Sequence, residues 1–122
     1  MATGSPPGND KRACGDQFER RAEQYLLGRG LRLEARNYLC RLGEIDLIMR
    51  QGDTLVFVEV RYRKNSRFGG AAASVTAAKQ QRLRRAASCY LQMKGLNEAR
   101  QPCRFDLVAC EGDLIHWIPN AF

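Results

Sequence analysis

Between Ala13 and Leu27, the apolar residues Phe18, Ala22, Tyr25 and Leu26 recur at helical spacing, and Gly28 and Gly30 end the run. A short extended stretch, Leu31–Tyr38, follows. From Glu44 to Arg50 the chain alternates, with Ile45, Leu47 and Met49 on one face and Glu44, Asp46 and Ile48 on the other. Gln51-Gly-Asp-Thr54 is a turn signal, because Gly-Asp fills a two-residue hairpin loop. Leu55–Arg63 alternates again, Val56, Val58, Val60 and Tyr62 against Leu55, Phe57, Glu59, Arg61 and Arg63. After a loop over Lys64–Ala73, a helix near Thr76–Lys94 presents Leu83, Ala86, Ala87, Tyr90 and Leu91 as its buried stripe. Arg104–Cys110 and Leu114–Ile118 alternate around Glu111-Gly112, a second hairpin. The predicted order is α-β-β-β-α-β-β, an α/β sheet flanked by helices. Residues 1–12 read as a flexible N-terminal tail and residues 13–122 as one domain.

The Gly52-Asp53 turn fixes a pairing register. Gln51 meets Thr54, Met49 meets Val56, Leu47 meets Val58 and Ile45 meets Val60. On the other face Ile48 meets Phe57, Glu44 meets Arg61, and Asp46 lies opposite Glu59. Carboxylates on directly opposed residues are about 5 Å apart and destabilise a strand pair. At an effective dielectric near 20 they repel by roughly 3 kcal/mol. A bridging cation, or protonation of one carboxylate, relieves this. Oxygen donors alone favour Mg²⁺ or Mn²⁺ over softer metals. The alternative is that both side chains splay into water or pair with arginine. On the first helix Glu19 borders the apolar stripe and is the acid expected to face the sheet, whereas Glu23 points further away.

Charge adds a partner. Twenty Lys+Arg against thirteen Asp+Glu give a net charge of +7. No acidic residue occurs between Glu59 and Glu98, a span holding Arg61, Arg63, Lys64, Arg67, Lys79, Arg82, Arg84, Arg85 and Lys94. A positive field beside a carboxylate pair favours a phosphate backbone, with binding that weakens as salt rises. Gly69 and Gly70 would let the loop approach a duplex closely. Lys79, one turn before Leu83, points toward the sheet unless its stem snorkels outward. Tyr62, Phe68 and Trp117 are candidates for base stacking as well as for edge packing. Asp106, in Arg104-Phe-Asp106, is expected to make a structural ion pair.

The five cysteines are scattered without a C-x-x-C pair, which argues against a disulfide framework or a structural zinc site. No apolar run approaches the roughly 18 residues of a membrane span, and the N-terminus lacks a signal peptide's apolar stretch. The expectation is a cytoplasmic chain with no membrane partner.

Several ordered motifs carry a resemblance: Gly15-x-x-x-Glu19-x-x-Ala22, Arg36-Asn37, Gly43-Glu-Ile-Asp-Leu-Ile48, Val56-Phe-Val-Glu-Val-Arg61 and Phe68-Gly-Gly70. Lys79-x-x-x-Leu83, Arg104-Phe-Asp106 and the closing Asn120-Ala-Phe122 complete the set. From Gly15 to Phe122 the chain resembles the YraN family of small bacterial proteins. That family looks like a branch of the PD-(D/E)XK nucleases, distantly similar to Holliday-junction resolvases. The resemblance implies a restriction-endonuclease-like core with a mixed central sheet. It also implies a Mg²⁺- or Mn²⁺-dependent endonuclease acting on DNA, including branched DNA, with a homodimer suited to two strands. The superfamily's helical Glu falls on Glu19, its metal Asp on Asp46 and its strand acid on Glu59, which implies a metal held by Asp46 and Glu59 with Glu19 contributing directly or through a water. Its lysine falls on Arg61, which stays protonated and cannot relay a proton. Arg61 would then hold the phosphate while Lys79 orients the nucleophile. The alternative is a nucleic-acid-binding module that keeps the scaffold without catalysis.

Overall fold

The structure, a computed structural model, describes the backbone of residues 7–63 and 75–122, and side chains in those ranges from residue 15 onward. Helix α1 spans Pro7–Gly28, starting earlier than the periodicity from Ala13 predicts. The chain leaves it through Gly30 at φ 95°, while the Leu31 amide returns to the Leu26 carbonyl at 3.1 Å. Then follow β1 (Arg32–Cys40), β2 (Gly43–Gln51) and β3 (Thr54–Arg63). Helix α2 (Ala77–Met93) crosses to β4 (Cys103–Glu111), and β5 (Leu114–Ile118) ends the sheet. Thr76 caps α2, its side chain accepting from the Lys79 amide.

The five strands lie in the order β1-β2-β3-β4-β5. Neighbours are antiparallel except β3 and β4, whose parallel pairing needs the α2 crossover. The sheet is therefore mixed and flanked by helices, the predicted restriction-endonuclease-like arrangement. One core lies under α1, where Ala22 and Leu26 meet Leu47, Met49, Val56, Val58 and Val108. The other lies under α2, where the predicted stripe of Leu83, Ala86, Ala87, Tyr90 and Leu91 meets Ile45, Ile48, Leu55 and Phe57. Covered on both faces, Leu55–Val58 is a continuous buried run, as central strands require.

The β2–β3 register follows the turn, from Gln51↔Thr54 through Leu47↔Val58. Gly52 takes the positive φ of 57° that the two-residue loop needs. Beyond Leu47 the sequence expectation fails. The pairs Ile45–Val60, Asp46–Glu59 and Glu44–Arg61 are absent from the ladder. Ile45 is buried with Ile48 under α2, not with Leu47 and Met49 under α1. Two residues three apart share a face only if the alternation slips by one. β1 slips at the matching place: Ala35 and Tyr38 both pack on the α2 side, and Asn37 between them stands at φ 48°. Asparagine tolerates that left-handed conformation better than most residues. Asn37 and Asp46 fall between the paired residues Arg36↔Leu47 and Tyr38↔Ile45. Both strands therefore change phase together, and the β2–β3 ladder opens at Asp46.

Asp106 on β4 makes the ion pair with Arg104 that the sequence leads one to expect, and it is fully buried. It accepts from Arg104 Nε at 3.0 and 3.2 Å, Trp117 Nε1 at 2.9 Å and the Asn120 amide at 2.9 Å. Trp117 is thus tied to the scaffold. Phe122 stacks on Phe105, which anchors the chain end against the α2 side.

Candidate active site

Where β2 and β3 part, the Asp46 carboxylate accepts the Val60 amide N–H at 2.9 Å. Glu59, on the adjoining strand, lies within hydrogen-bonding reach of the same carboxyl group. Burial, then the contact with Glu59 and its charge, push the Asp46 pKa up to about 9. The sequence reading expected these acids to face each other as a ladder pair; they interact beyond the point where the ladder ends.

Glu19 stands on the α1 side of this gap. Its carboxylate accepts from Asn37 Nδ2 at 2.8 Å. Burial raises its pKa to about 7 against the opposing Asn37 bond, and the charges of Asp46, Asp16 and Glu44 add to the rise. A cleft lined by Gly15, Asp16, Glu19, Asn37 and Glu44 opens here. Glu23 corrects the sequence expectation. It faces the sheet and is only 5% exposed, because Arg36 donates to it through Nε at 2.6 Å and Nη2 at 2.9 Å. A bidentate guanidinium makes that burial tolerable.

The α2 side of the gap is basic. Glu59, Arg61, Lys79 and Arg82 line one pocket with Gly43 and Glu44. Arg61 Nη2 donates to Glu59 at 3.2 Å, while Arg61 Nε is buried without a partner among the described residues. An orphaned guanidinium N–H beside a carboxylate is a donor awaiting an acceptor. Lys79 is half-buried. Burial, with the charges of Arg61, Arg63 and Arg82, holds its ammonium below the ordinary lysine value, and Glu59 opposes this. Arg63 and Arg82 are exposed. Lys64, Arg67, Phe68 and Gly69-Gly70 lie outside the described residues.

Position 43 is glycine for a packing reason. A Cβ built there meets the Arg82 carbonyl oxygen at 3.1 Å, so β2 begins directly beneath α2. That close approach sets Lys79 and Arg82 over Glu59.

The profile of the uncharacterised protein family UPF0102 matches residues 18–110. The chain belongs to this family. A UPF0102 protein of Aeromonas hydrophila is 59% identical over 108 residues, covering 88% of this chain and 83% of that protein. A UPF0102 protein of Yersinia enterocolitica is 54% identical over 111 residues, covering 91% and 95%. One from Yersinia pseudotuberculosis is 52% identical over 112 residues, covering 92% and 96%. The UPF0102 match spans Glu19, Asp46, Glu59, Arg61 and Lys79.

The donor set in this UPF0102 chain suits a hard cation. Asp46 and Glu59 offer oxygens alone, and burial together with the neighbouring carboxyl makes Asp46 hold its proton unusually tightly. Among the described residues no three Asp, Glu, His or Cys side chains converge to hold a metal ion. Two carboxylates would therefore hold it with water completing the shell, as Mg²⁺ commonly accepts. Sequence reasoning missed the Val60 amide, the Glu23–Arg36 pair and Asn37. The signal for the last was an asparagine within an extended run.

Proposed function

We propose that this protein is a divalent-metal-dependent phosphodiesterase acting on DNA. The observation that carries this reading is that Asp46 and Glu59 interact through their carboxyl groups while Glu59 lines a pocket with Arg61 and Lys79. Asp46 and Glu59 would hold Mg²⁺ or Mn²⁺ through their oxygens. The chemistry such a cation supplies when bound is activation of water and neutralisation of charge on the phosphoryl oxygens. Arg61, with an unused Nε–H, binds a phosphate oxygen and stabilises charge developing on it. Lys79, its pKa lowered, orients the attacking water from the opposite wall. The Val60 amide keeps the Asp46 carboxylate aimed into the gap.

A second reading has its own support. Arg61 cannot give up a proton, and among the described residues no third acid joins the pair, which suits a domain that binds nucleic acid without cutting it. Incubating the purified chain with linear, flapped and four-way DNA in Mg²⁺ or Mn²⁺ separates the two. Metal-dependent products that vanish in Asp46→Asn support the enzyme. Salt-sensitive binding with intact DNA throughout supports the module.

A further inference from the structure

Phe18 and Tyr62 form a parallel stack at the same end of the sheet as the carboxylate pair, with ring centroids 4.0 Å apart and planes inclined by 16°. Each ring is tied to the site by its neighbours in the chain. Phe18 directly precedes Glu19 on α1. Tyr62 lies two residues beyond Val60, whose amide holds Asp46. Phe18 is backed by the α1-side core, and the Arg21 guanidinium lies 5.4 Å from its ring centroid. Among the described residues, Phe18 thus meets both Arg21 and Tyr62.

Tyr62 is different. It keeps 37% of its surface exposed although one face is spent on Phe18. Burying a large ring is favourable, so an aromatic left open on a rigid backing is a surface for another flat group. The surroundings say which kind. Arg61 and Arg63 project from the other face of β3; the cation on the ring's own side is Arg21, whose guanidinium lies beside the Phe18–Tyr62 stack. A nucleobase is flat and apolar on its faces and is joined to a phosphate.

We propose that Tyr62 stacks an unpaired nucleobase beside the phosphate bound at the Asp46–Glu59 gap. This rests on the reading of the gap as a phosphodiester site and names its substrate class: DNA containing unpaired nucleotides. Inside an intact duplex each base face is already covered by its neighbours, so a protein ring has no face to meet unless a base leaves the stack. A nucleotide in a single strand, a flap or a frayed end offers its face freely. A fully paired four-way junction counts as duplex for this purpose.

The test uses the full chain in EDTA, so that cleavage does not enter. Two DNAs of equal length carry 2-aminopurine at one position, one single-stranded and one fully paired. The unaltered chain and its Tyr62→Phe and Tyr62→Leu variants are titrated with each. The expected result is a binding preference for the unpaired DNA of at least about fivefold, the low end of what one stacked base contributes, with 2-aminopurine fluorescence quenched. Tyr62→Phe keeps the preference and Tyr62→Leu loses it. Equal affinity for both DNAs, or a preference and quenching that survive Tyr62→Leu, overturns the stacking role while leaving the phosphodiester site standing. Failure of the unaltered chain to bind either DNA at low salt overturns both. The quenching measured on the unaltered chain decides the matter even if Tyr62→Leu melts early.

Discussion

The Val60 amide donates to the Asp46 carboxylate at 2.9 Å, a side-chain bond in the place where a strand ladder would put a backbone one. Asparagine can accept that N–H equally well and can donate to Glu59. Asp46→Asn is therefore expected to melt within a few degrees of the unaltered chain. Its metal-dependent cleavage should fall by more than roughly 100-fold, beyond the range seen when only an outer-shell partner is lost. Comparison of melting curves with cleavage rates checks both halves, and a variant that still cuts at the original rate removes Asp46 from the chemistry.

Stability in EDTA should depend on pH with an unusual sign. The Asp46 carboxyl has its folded pKa raised from the ordinary 3.8 to about 9, so the folded chain binds more protons than the unfolded one across that window. Glu19, raised from 4.5 to about 7, acts in the same direction. Their contribution is complete below the unfolded values and is lost as pH rises through the folded ones. The melting temperature should accordingly decline between about pH 4 and 9, less steeply in Asp46→Asn. Mg²⁺ should recover part of the loss at the alkaline end. A flat profile shared by both proteins would contradict the raised Asp46 and Glu19 values.

Asp106→Ala should cost about 3–5 kcal/mol, the usual penalty for removing one member of a buried ion pair. Here the deletion strands Arg104, Trp117 Nε1 and the Asn120 amide together. Asp106→Asn, which keeps an acceptor, should cost less. Urea unfolding of the two variants gives the order, and equal losses would assign the effect to packing alone.

Glycine at two places predicts opposite signs. Gly43→Ala puts a methyl 3.1 Å from the Arg82 carbonyl, and a helix backbone yields reluctantly; a loss of about 1–3 kcal/mol is expected. Gly15 lies within α1 with open space around it, and Gly15→Ala should gain roughly 0.5–1 kcal/mol. Denaturant midpoints for the pair provide the check.

Much of this was legible because local chemistry and global fold agreed. The Gly52-Asp53 turn set a register that holds through Leu47↔Val58, and the α2 stripe from Leu83 to Leu91 is the buried face of the helix. Lys79 lines the pocket beside Glu59 and Arg61, and Asp106 found its arginine. The misreadings share a cause. Alternation assumes an unbroken pleat, so it carried Ile45 to the wrong core. It also made a ladder pair of two acids that meet by another route. Helical angle alone turned Glu23 outward, because the stabilising Arg36 comes from a different element.

The matched slip at Asn37 and Asp46 binds the histories of two strands. Loss or gain of one residue in β1 alone would throw Tyr38 out of step with Ile45, and the same change in β2 alone would carry Asp46 into the hydrophobic layer. Only a compensating change in both preserves cores and carboxylate alike, so insertions should be tolerated in the hairpin turns and refused along this stretch.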